Sequence, residues 1–135
     1  MILYQIENDL SLEDYKSVLV RSSLGERRPI DDIPRLTGML RNANLIVTAR
    51  KDGEILGIAR CLSDYQHATY LADLAVDLAY QHQGIGKELI RKAQQSAPSS
   101  KIILLSAPAA IGYYPKIGME NVSNCFILGT ENQIH

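Results

Sequence analysis

One stretch of this sequence, residues 74–87, decides the fold, and it reads LAVDLAYQHQGIGK. Its first four residues end an extended apolar run, and residues 84–87 open a segment whose apolar residues recur at helical spacing. This pattern predicts a strand, a loop with glycines and then a helix. The first amides of a helix have no internal partner and lie at the positive end of the helix dipole. Glycines let an anion approach that backbone closely, so the stretch indicates an anion-binding turn.

Two familiar phosphate-binding motifs are absent from this stretch. A Walker A loop requires a glycine five residues before its Gly-Lys pair and Ser or Thr after the pair, and this chain has Gln81 and Glu88 at those positions. A Rossmann fingerprint requires a third glycine where this chain has Leu89. A purely structural alternative stays open, in which Gly84 and Gly86 only allow a tight turn and close packing.

On the N-terminal side of this stretch, predicted strands and helices follow one another. Ser11, with Asp14 three residues later, forms a capping box that begins an amphipathic helix at residue 12. Asp31 or Asp32 caps a second helix, with Pro34 tolerated in its first turn. An Asp-Gly pair then joins the strands of a hairpin. The predicted strands on this side are residues 2–6, 45–50, 55–62 and 69–77.

On the C-terminal side, the helix that opens at residue 84 runs to about residue 96. Residues 101–107 form a continuous apolar run, which is typical of a strand buried on both faces. A short helix is predicted over residues 109–117, closed by Gly118, and residues 122–128 supply one or two last strands. The order is therefore β-α-α-β-β-β-α-β-α-β(-β). We predict an α/β fold with a mixed sheet and helices on its faces.

Length, charge and cysteine content limit the function classes. The chain has 135 residues with 14 Lys+Arg and 15 Asp+Glu, so we expect a single domain, 1–135, and no nucleic-acid partner. No apolar run is long enough for a bilayer, and no group of residues has metal-ligand spacing, so neither membrane nor metal binding is expected. Two distant cysteines and the lack of a secretory signal predict a cytoplasmic protein with reduced thiols.

A second segment, residues 110–119, carries chemistry and reads AIGYYPKIGM. Its tyrosines are consistent with packing, yet a phenol with a pKa near ~10 can also protonate a leaving thiolate. Together the two segments resemble the GCN5-related N-acetyltransferase (GNAT) superfamily. The pattern Gln81-x-x-Gly84-x-Gly86 is similar to its acetyl-CoA signature, and Tyr113 to Met119 is similar to its aromatic-Tyr-x-Lys-Leu-Gly-Phe segment. Met119 replaces the common Phe, and Pro115 is expected to kink or end the helix.

The resemblance extends from Ile2 to Leu128 and implies an acetyl-CoA-dependent N-acetyltransferase. Its central strands, here residues 69–77 and 101–107, would splay apart to admit the acyl donor. Backbone groups of Leu74, Ala75 and Val76 would bind the pantetheine arm and the thioester carbonyl, with an amide near Leu74 as oxyanion donor. The remaining cofactor residues would cradle the pyrophosphate through backbone N–H groups, and they are Gln81, His82, Gln83, Gly84, Ile85, Gly86 and Lys87. Tyr114 matches the family's general acid.

The amine acceptor must lose a proton before it attacks, so the reaction needs a base. Asp73 is the first candidate, because it lies on the strand opposite the expected acetyl position. Alternation along the strand places Asp73 on one face with Leu71, and Leu74 on the other face. The alternative is a structural carboxylate that is paired within the sheet. Tyr70 is a second candidate, and Glu26 and Asp32 are third.

The sequence says less about the amine acceptor and the oligomeric state than about the acyl-donor site. In the family, the acceptor site lies near the loop that holds Glu26, Arg27 and Arg28, and the two arginines would suit an anionic group on the acceptor. The alternative is a solvated basic turn. The acceptor would be a small-molecule or peptide amine that attacks directly in a ternary complex. A homodimer is one oligomeric state that the resemblance allows. A different function class, a non-catalytic module that binds or senses acyl-CoA, would show the same cofactor loop.

Overall fold

The structure is a computed structural model that describes residues 1–135. It divides into two compact units, residues 1–105 and residues 106–135. The first unit carries a five-stranded mixed sheet. Its strands are β1 Leu3–Ile6, β2 Leu45–Lys51, β3 Glu54–Ser63, β4 Ala68–Val76 and β5 Lys101–Ile103. They lie in chain order across the sheet, with β1 to β4 antiparallel and β5 parallel to β4.

The helices of the first unit begin as the sequence predicts. They are α1 Leu12–Arg21, α2 Ile33–Arg41 and α3 Ile85–Ser96, with 3₁₀ turns at Leu24–Arg27 and Leu78–Tyr80. The Ser11 hydroxyl accepts a hydrogen bond from the Asp14 amide at 3.1 Å. The Asp32 carboxylate accepts one from the Arg35 amide at 3.2 Å, so Asp32 is the cap of α2. Side-chain oxygens therefore satisfy amide donors that α1 and α2 leave unpaired.

The main core lies between the first two helices and one face of the sheet. Tyr15 and Leu36, both fully buried, pack there in one cluster with Ile58 and Ala75. Gly57 is the neighbour of Ile58 on β3 and faces the opposite side, because successive residues of a strand alternate between faces. On that side Gly57 lies against α3, so helices cover both faces of the sheet.

Gly57 allows α3 to approach the sheet closely. A Cβ at this position would lie 3.1 Å from Leu89 Cδ1 and 3.2 Å from both Ile85 Cγ2 and the Ala75 carbonyl oxygen. Gly57→Ala is expected to lower the free energy of unfolding by about 1–3 kcal/mol, because the added methyl must displace packed atoms. Urea denaturation measures the change.

Gly38→Ala is the matched control for this prediction. Gly38 lies inside α2, and a Cβ there would meet only Asn42 Nδ2, at 4.0 Å. This change is expected to raise the free energy of unfolding by about 0.5–1 kcal/mol, since alanine favours a helix interior. A Gly57→Ala protein as stable as the unsubstituted chain would show that α3 and the sheet accommodate the added methyl without a loss of stability.

The pairing of β4 with β5 is short. Three register pairs join them, Ala68 with Lys101, Thr69 with Ile102 and Tyr70 with Ile103. β4 continues to Val76, so its second half has no partner strand on this side. This matches the splayed central strands of the predicted fold class, and the α/β mixed-sheet prediction is confirmed.

Two strand predictions near the C-terminus were wrong. Residues 101–107 are not a strand buried on both faces: β5 ends at Ile103, and the side chains of Ile103 and Leu105 are 43% and 50% exposed. The physical reason is that β5 is the edge strand of the sheet and lacks a neighbour beyond it. Residues 122–128 form no strand, and Phe126 is 91% exposed, because no other strand pairs with this segment.

The second unit contains short helical pieces instead of the single predicted helix over residues 109–117. A 3₁₀ turn spans Pro108–Ala110, and α4 spans Tyr113–Lys116. Pro115 lies in the first turn of α4, where its missing N–H leaves no hydrogen bond unmade. Gly118 closes the helix with a φ of +100°, as predicted, and its amide bonds the Pro115 carbonyl at 3.1 Å.

Candidate active site

A β-bulge divides β4 before the segment predicted to hold the acyl donor. Cys61 of β3 pairs with Leu71 and its neighbour Arg60 pairs with Asp73, so Ala72 has no opposite residue. The extra residue turns Asp73 to the face of the sheet opposite Leu71. Simple alternation would have placed these two side chains together. The predicted placement of Asp73 and Leu74 on opposite faces holds, because the bulge precedes both.

The loop after β4 is held at its first residue. The Asp77 amide donates to the Leu56 carbonyl of β3 at 2.8 Å. One oxygen of the Asp77 carboxylate accepts from the Ala79 amide at 2.9 Å, and the other accepts from Arg21 of α1 at 2.6 Å. Gln81 Nε2 donates to the carbonyl of Val76 at 3.3 Å. These contacts fix the position at which the chain leaves the sheet for the glycine turn, residues 81–87.

The glycine turn leads the chain into α3 through left-handed backbone. His82 and Gly84 both adopt left-handed backbone, with φ of +64° and +81°, and Gly84 is the N-cap of α3. The α3 helix has twelve residues, and its first-turn amides have no acceptor within the helix. The structure thus brings the seven predicted pyrophosphate residues together in one turn at the start of α3, and most of them are exposed, namely Gln81, His82, Gln83, Gly84 and Lys87.

Asp73 lies in a buried ion cluster. Its side chain is fully buried, and it accepts hydrogen bonds from Tyr15 Oη at 2.5 Å, Arg60 Nε at 2.6 Å and Arg28 Nε at 2.7 Å. Burial raises the pKa of this carboxyl. The hydrogen bond and charge of Arg60, together with the hydrogen bonds from Tyr15 and Arg28, lower the pKa by more than burial raises it. The result is a pKa below the ordinary value, which makes Asp73 a poor proton acceptor.

This geometry supports the structural alternative for Asp73 and argues against a role as general base. Both carboxylate oxygens are already occupied by donors, and no amine can reach a carboxylate that solvent does not reach. Asp32, a third candidate, accepts the cap bond of α2. Tyr70 is 41% exposed, and Glu26 is exposed as well.

Arg28, which the sequence predicts to bind the acceptor, is held by three hydrogen bonds within the fold. Besides Asp73, it bonds the carbonyls of Ala72 and Arg27, each at 2.9 Å. These bonds use three of its five N–H donors and leave one on each Nη nitrogen, so acceptor binding by Arg28 stays a prediction. The neighbouring Glu26 and Arg27 side chains are exposed.

Sequence reasoning missed Tyr15 and Arg60, although Arg60 left a signal. Arg60 is a charged residue inside the apolar strand β3, and it is 7% exposed. Arginine is almost never buried without a partner, so its presence in such a strand predicts a buried carboxylate on a neighbouring strand. Tyr15 gives no comparable signal, because a tyrosine on the apolar face of a helix is ordinary core packing.

Tyr114 lies in the second unit, next to Tyr113. The two rings meet edge to face, with centroids 5.2 Å apart and an angle of 76° between their planes. Tyr114 is half-buried, and burial raises its pKa, with a further contribution from Tyr113. Its hydroxyl therefore carries a proton throughout the neutral range, as a general acid must.

The two cysteines lie in different surroundings. Cys61 is buried, and burial raises the pKa of its thiol to about 12, so it remains protonated at neutral pH. Cys125 is exposed, in contrast to the strand-like surroundings that its sequence suggested. No group of three or more His, Cys, Asp and Glu side chains converges in a way that would hold a metal ion. None of the helices has the length and apolar character needed to cross a membrane.

The sequence matches the Acetyltransferase (GNAT) family over residues 4–119. The chain belongs to this family. The family match confirms the resemblance drawn from the two motifs, and it identifies the chain as a GNAT acetyltransferase. The family uses acetyl-CoA as its acyl donor.

Solved structures show the same fold. A GNAT-family acetyltransferase from Streptococcus pneumoniae superposes with a TM-score of 0.79 at 22% identity, covering 99% of this chain and 100% of that one. A protein from Deinococcus radiodurans gives a TM-score of 0.72 at 23% identity, covering 98% of this chain and 91% of that one. The aminoglycoside N-acetyltransferase AAC(6')-Iy, in complex with CoA, gives 0.74 at 15% identity, with 98% and 96% covered.

Proposed function

We propose that this GNAT acetyltransferase moves an acetyl group from acetyl-CoA to a primary amine by direct attack in a ternary complex. The observation that carries the proposal is the glycine turn, residues 81–87, which opens α3 directly after the unpaired half of β4. We propose further that residues 1–135 act as a single N-acetyltransferase domain. The family match supports this, because it runs from the first unit into the second.

The proposed acyl-donor site uses backbone groups. Amides in residues 81–87 would bind the pyrophosphate, since exposed N–H groups at a helix start favour negative charge. Leu74, Ala75 and Val76 would contact the pantetheine arm and the thioester along the free edge of β4. An amide near Leu74 would donate to the carbonyl oxygen as it gains charge, which lowers the barrier to attack.

The proposed chemistry has two proton transfers. The amine nitrogen bonds to the acetyl carbon as the carbon–sulfur bond breaks; the amine gives a proton to a base, and the CoA sulfur takes one from an acid. Tyr114 is the proposed acid, by its match to the family motif. For the base, Glu26 and Tyr70 remain as exposed candidates, with water as the third route, because the Asp73 carboxylate is occupied.

The proposed acceptor is a small-molecule or peptide amine. Two similar structures, each with a TM-score of 0.69, are of an aminoglycoside acetyltransferase from an uncultured soil metagenomic sample, one of them in complex with sisomicin. At 19–20% identity these show the fold alone, so aminoglycosides form only the first set for an amine screen. We place the protein in the cytoplasm, a proposal that its two free cysteines support.

Thermal unfolding with and without ligand tests the acyl-donor site. Acetyl-CoA at 100 times its dissociation constant is expected to add about 2.7 kcal/mol to the free energy of unfolding. For a domain of this size, that raises the melting temperature by several degrees. CoA should give a comparable shift, while ATP, which lacks the pantetheine arm, should not. No shift at millimolar acetyl-CoA would contradict the proposal.

A thiol-release assay then separates the enzyme from a non-catalytic acyl-CoA-binding module. Both bind acetyl-CoA, but only the enzyme releases free CoA faster when a suitable amine is present. Acetyl-CoA binding without amine-dependent thiol release across a broad panel of amines would favour the binding module.

A further inference from the structure

We infer that Arg28 is a positioning residue, which holds the bulge of β4 so that the amide of Leu74 is presented to the acetyl carbonyl. The inference rests on the proposed function and assigns to Arg28 a part in it that its sequence position did not predict.

Arg28 bridges two consecutive residues of β4. Its Nε donates to Asp73 Oδ1 at 2.7 Å, and its Nη2 donates to the Ala72 carbonyl at 2.9 Å. Because the guanidinium is planar and rigid, two such bonds fix the Asp73 side chain relative to the backbone before it. The next residue is Leu74, so the peptide that joins Asp73 to Leu74 is fixed from one side.

The bulge leaves this part of β4 short of ordinary sheet contacts. Ala72 has no register partner in β3, and β5 pairs with β4 only as far as Tyr70. The backbone groups of a bulge residue must find partners outside the ladder. Arg28 supplies the partner for the Ala72 carbonyl, and without it this stretch of β4 would be held by β3 alone.

The cluster on the other side of Arg28 is rigid. Tyr15 and Arg60 both donate to Asp73 Oδ2, so the carboxylate cannot rotate away from Arg28. The loop that carries Arg28 also packs tightly on α1, because a Cβ at Gly25 would lie 3.2 Å from the Leu19 carbonyl oxygen. Arg28 therefore connects two fixed bodies, α1 with its loop and the bulge of β4.

The infrared band of a thioester carbonyl reports the hydrogen bond that this arrangement would position. Acetyl-CoA labelled with ¹³C at the carbonyl is bound to the unsubstituted protein, Arg28→Met and Arg28→Lys, and isotope-edited difference spectra are recorded. A weaker hydrogen bond moves the band to higher frequency. We expect the highest frequency in Arg28→Met and an intermediate one in Arg28→Lys, because lysine can keep only one of the two β4 contacts.

Arg35→Met is the matched control, since Arg35 is an exposed arginine at the start of α2 whose side chain makes no hydrogen bond. It should leave the band where it is in the unsubstituted protein. Titration calorimetry with CoA, which has no acetyl carbonyl, should give the same affinity in all four proteins. Arg28→Lys retains the charge beside Asp73, so it preserves the test if Arg28→Met does not fold.

The outcomes separate the two proposals. If the unsubstituted protein binds neither acetyl-CoA nor CoA, the proposed function fails and the inference fails with it. If it binds both, yet the carbonyl band is unchanged in the Arg28 variants, the proposed function stands and Arg28 is only a structural residue. Equal weakening of CoA and acetyl-CoA binding would likewise overturn a role at the acetyl carbonyl.

Discussion

Asp73→Asn is expected to lower the free energy of unfolding by about 3–5 kcal/mol, the usual cost of breaking a buried ion pair by removing one partner. Asparagine has nearly the same shape as aspartate but carries no charge. The change leaves the buried guanidinium of Arg60, and the partly buried one of Arg28, without a counter-ion. The stability of a typical domain is only about 5–15 kcal/mol, so this loss is severe.

Urea denaturation at neutral pH measures this loss, with Asp31→Asn as the matched control. Asp31 is exposed and its side chain makes no hydrogen bond, so its replacement should change the free energy of unfolding by less than about 0.5 kcal/mol. Equal stabilities of the two variants would show that the ion cluster around Asp73 contributes nothing, and the structural assignment of this residue would fail.

The pH dependence gives the same prediction an independent check. The pKa of Asp73 is lower in the folded protein than in the unfolded chain, where it is near ~3.9. Its stabilisation is therefore complete above that unfolded value and is lost as the pH falls through the lower folded value. The difference in unfolding free energy between the unsubstituted protein and Asp73→Asn should be constant above about pH 5 and should shrink in acid below about pH 4.

The same variant distinguishes a structural Asp73 from a catalytic base. A general base would be needed for turnover and not for stability, so Asp73→Asn would fold normally and lose activity. The ion cluster predicts that Asp73→Asn loses stability, and that any loss of activity is a consequence of the lost stability. A stable but inactive Asp73→Asn would restore the carboxylate as the base.

The sequence predicted the elements whose signals are local. Ser11 and Asp32 are caps that contact amides three residues away, and Gly84 and Gly118 take the left-handed backbone that their positions in the motifs required. Such features depend on a few neighbouring residues and on elementary backbone sterics. For the same reason the glycine turn before α3 could be predicted from the sequence alone.

The features that depend on distant partners were the ones that could not be predicted. The bulge at Ala72 exists only in relation to β3, and the role of Asp73 depends on Tyr15, which is 58 residues away. Residues 101–107 have the composition of a central strand, yet composition does not say that β5 lies at an edge. A sequence pattern indicates which secondary structure a segment favours. The strands that lie beside the segment depend on how the whole sheet is assembled.

Tyr114→Phe is expected to lower turnover by about 10²-fold, the lower end of what a positioned general acid contributes. The change removes only the hydroxyl, so the ring keeps its edge-to-face contact with Tyr113. Burial raises the pKa of Tyr114 above its ordinary value, so the unsubstituted enzyme keeps this proton throughout the neutral range. The measurement is CoA release with an acceptor amine identified in the screen, at saturating acetyl-CoA.

Tyr113→Phe is the matched control, because it removes the same atom from the neighbouring ring and should leave turnover unchanged. The Michaelis constant for acetyl-CoA should also change little in Tyr114→Phe. The acid acts on the sulfur as the carbon–sulfur bond breaks, and it contributes little to the binding of the intact thioester. Turnover that survives Tyr114→Phe intact would assign the proton to water. Equal losses of turnover in the two variants would contradict the role of Tyr114 as the acid, because only one specific hydroxyl can donate the proton. They would show that the aromatic pair supports the local structure.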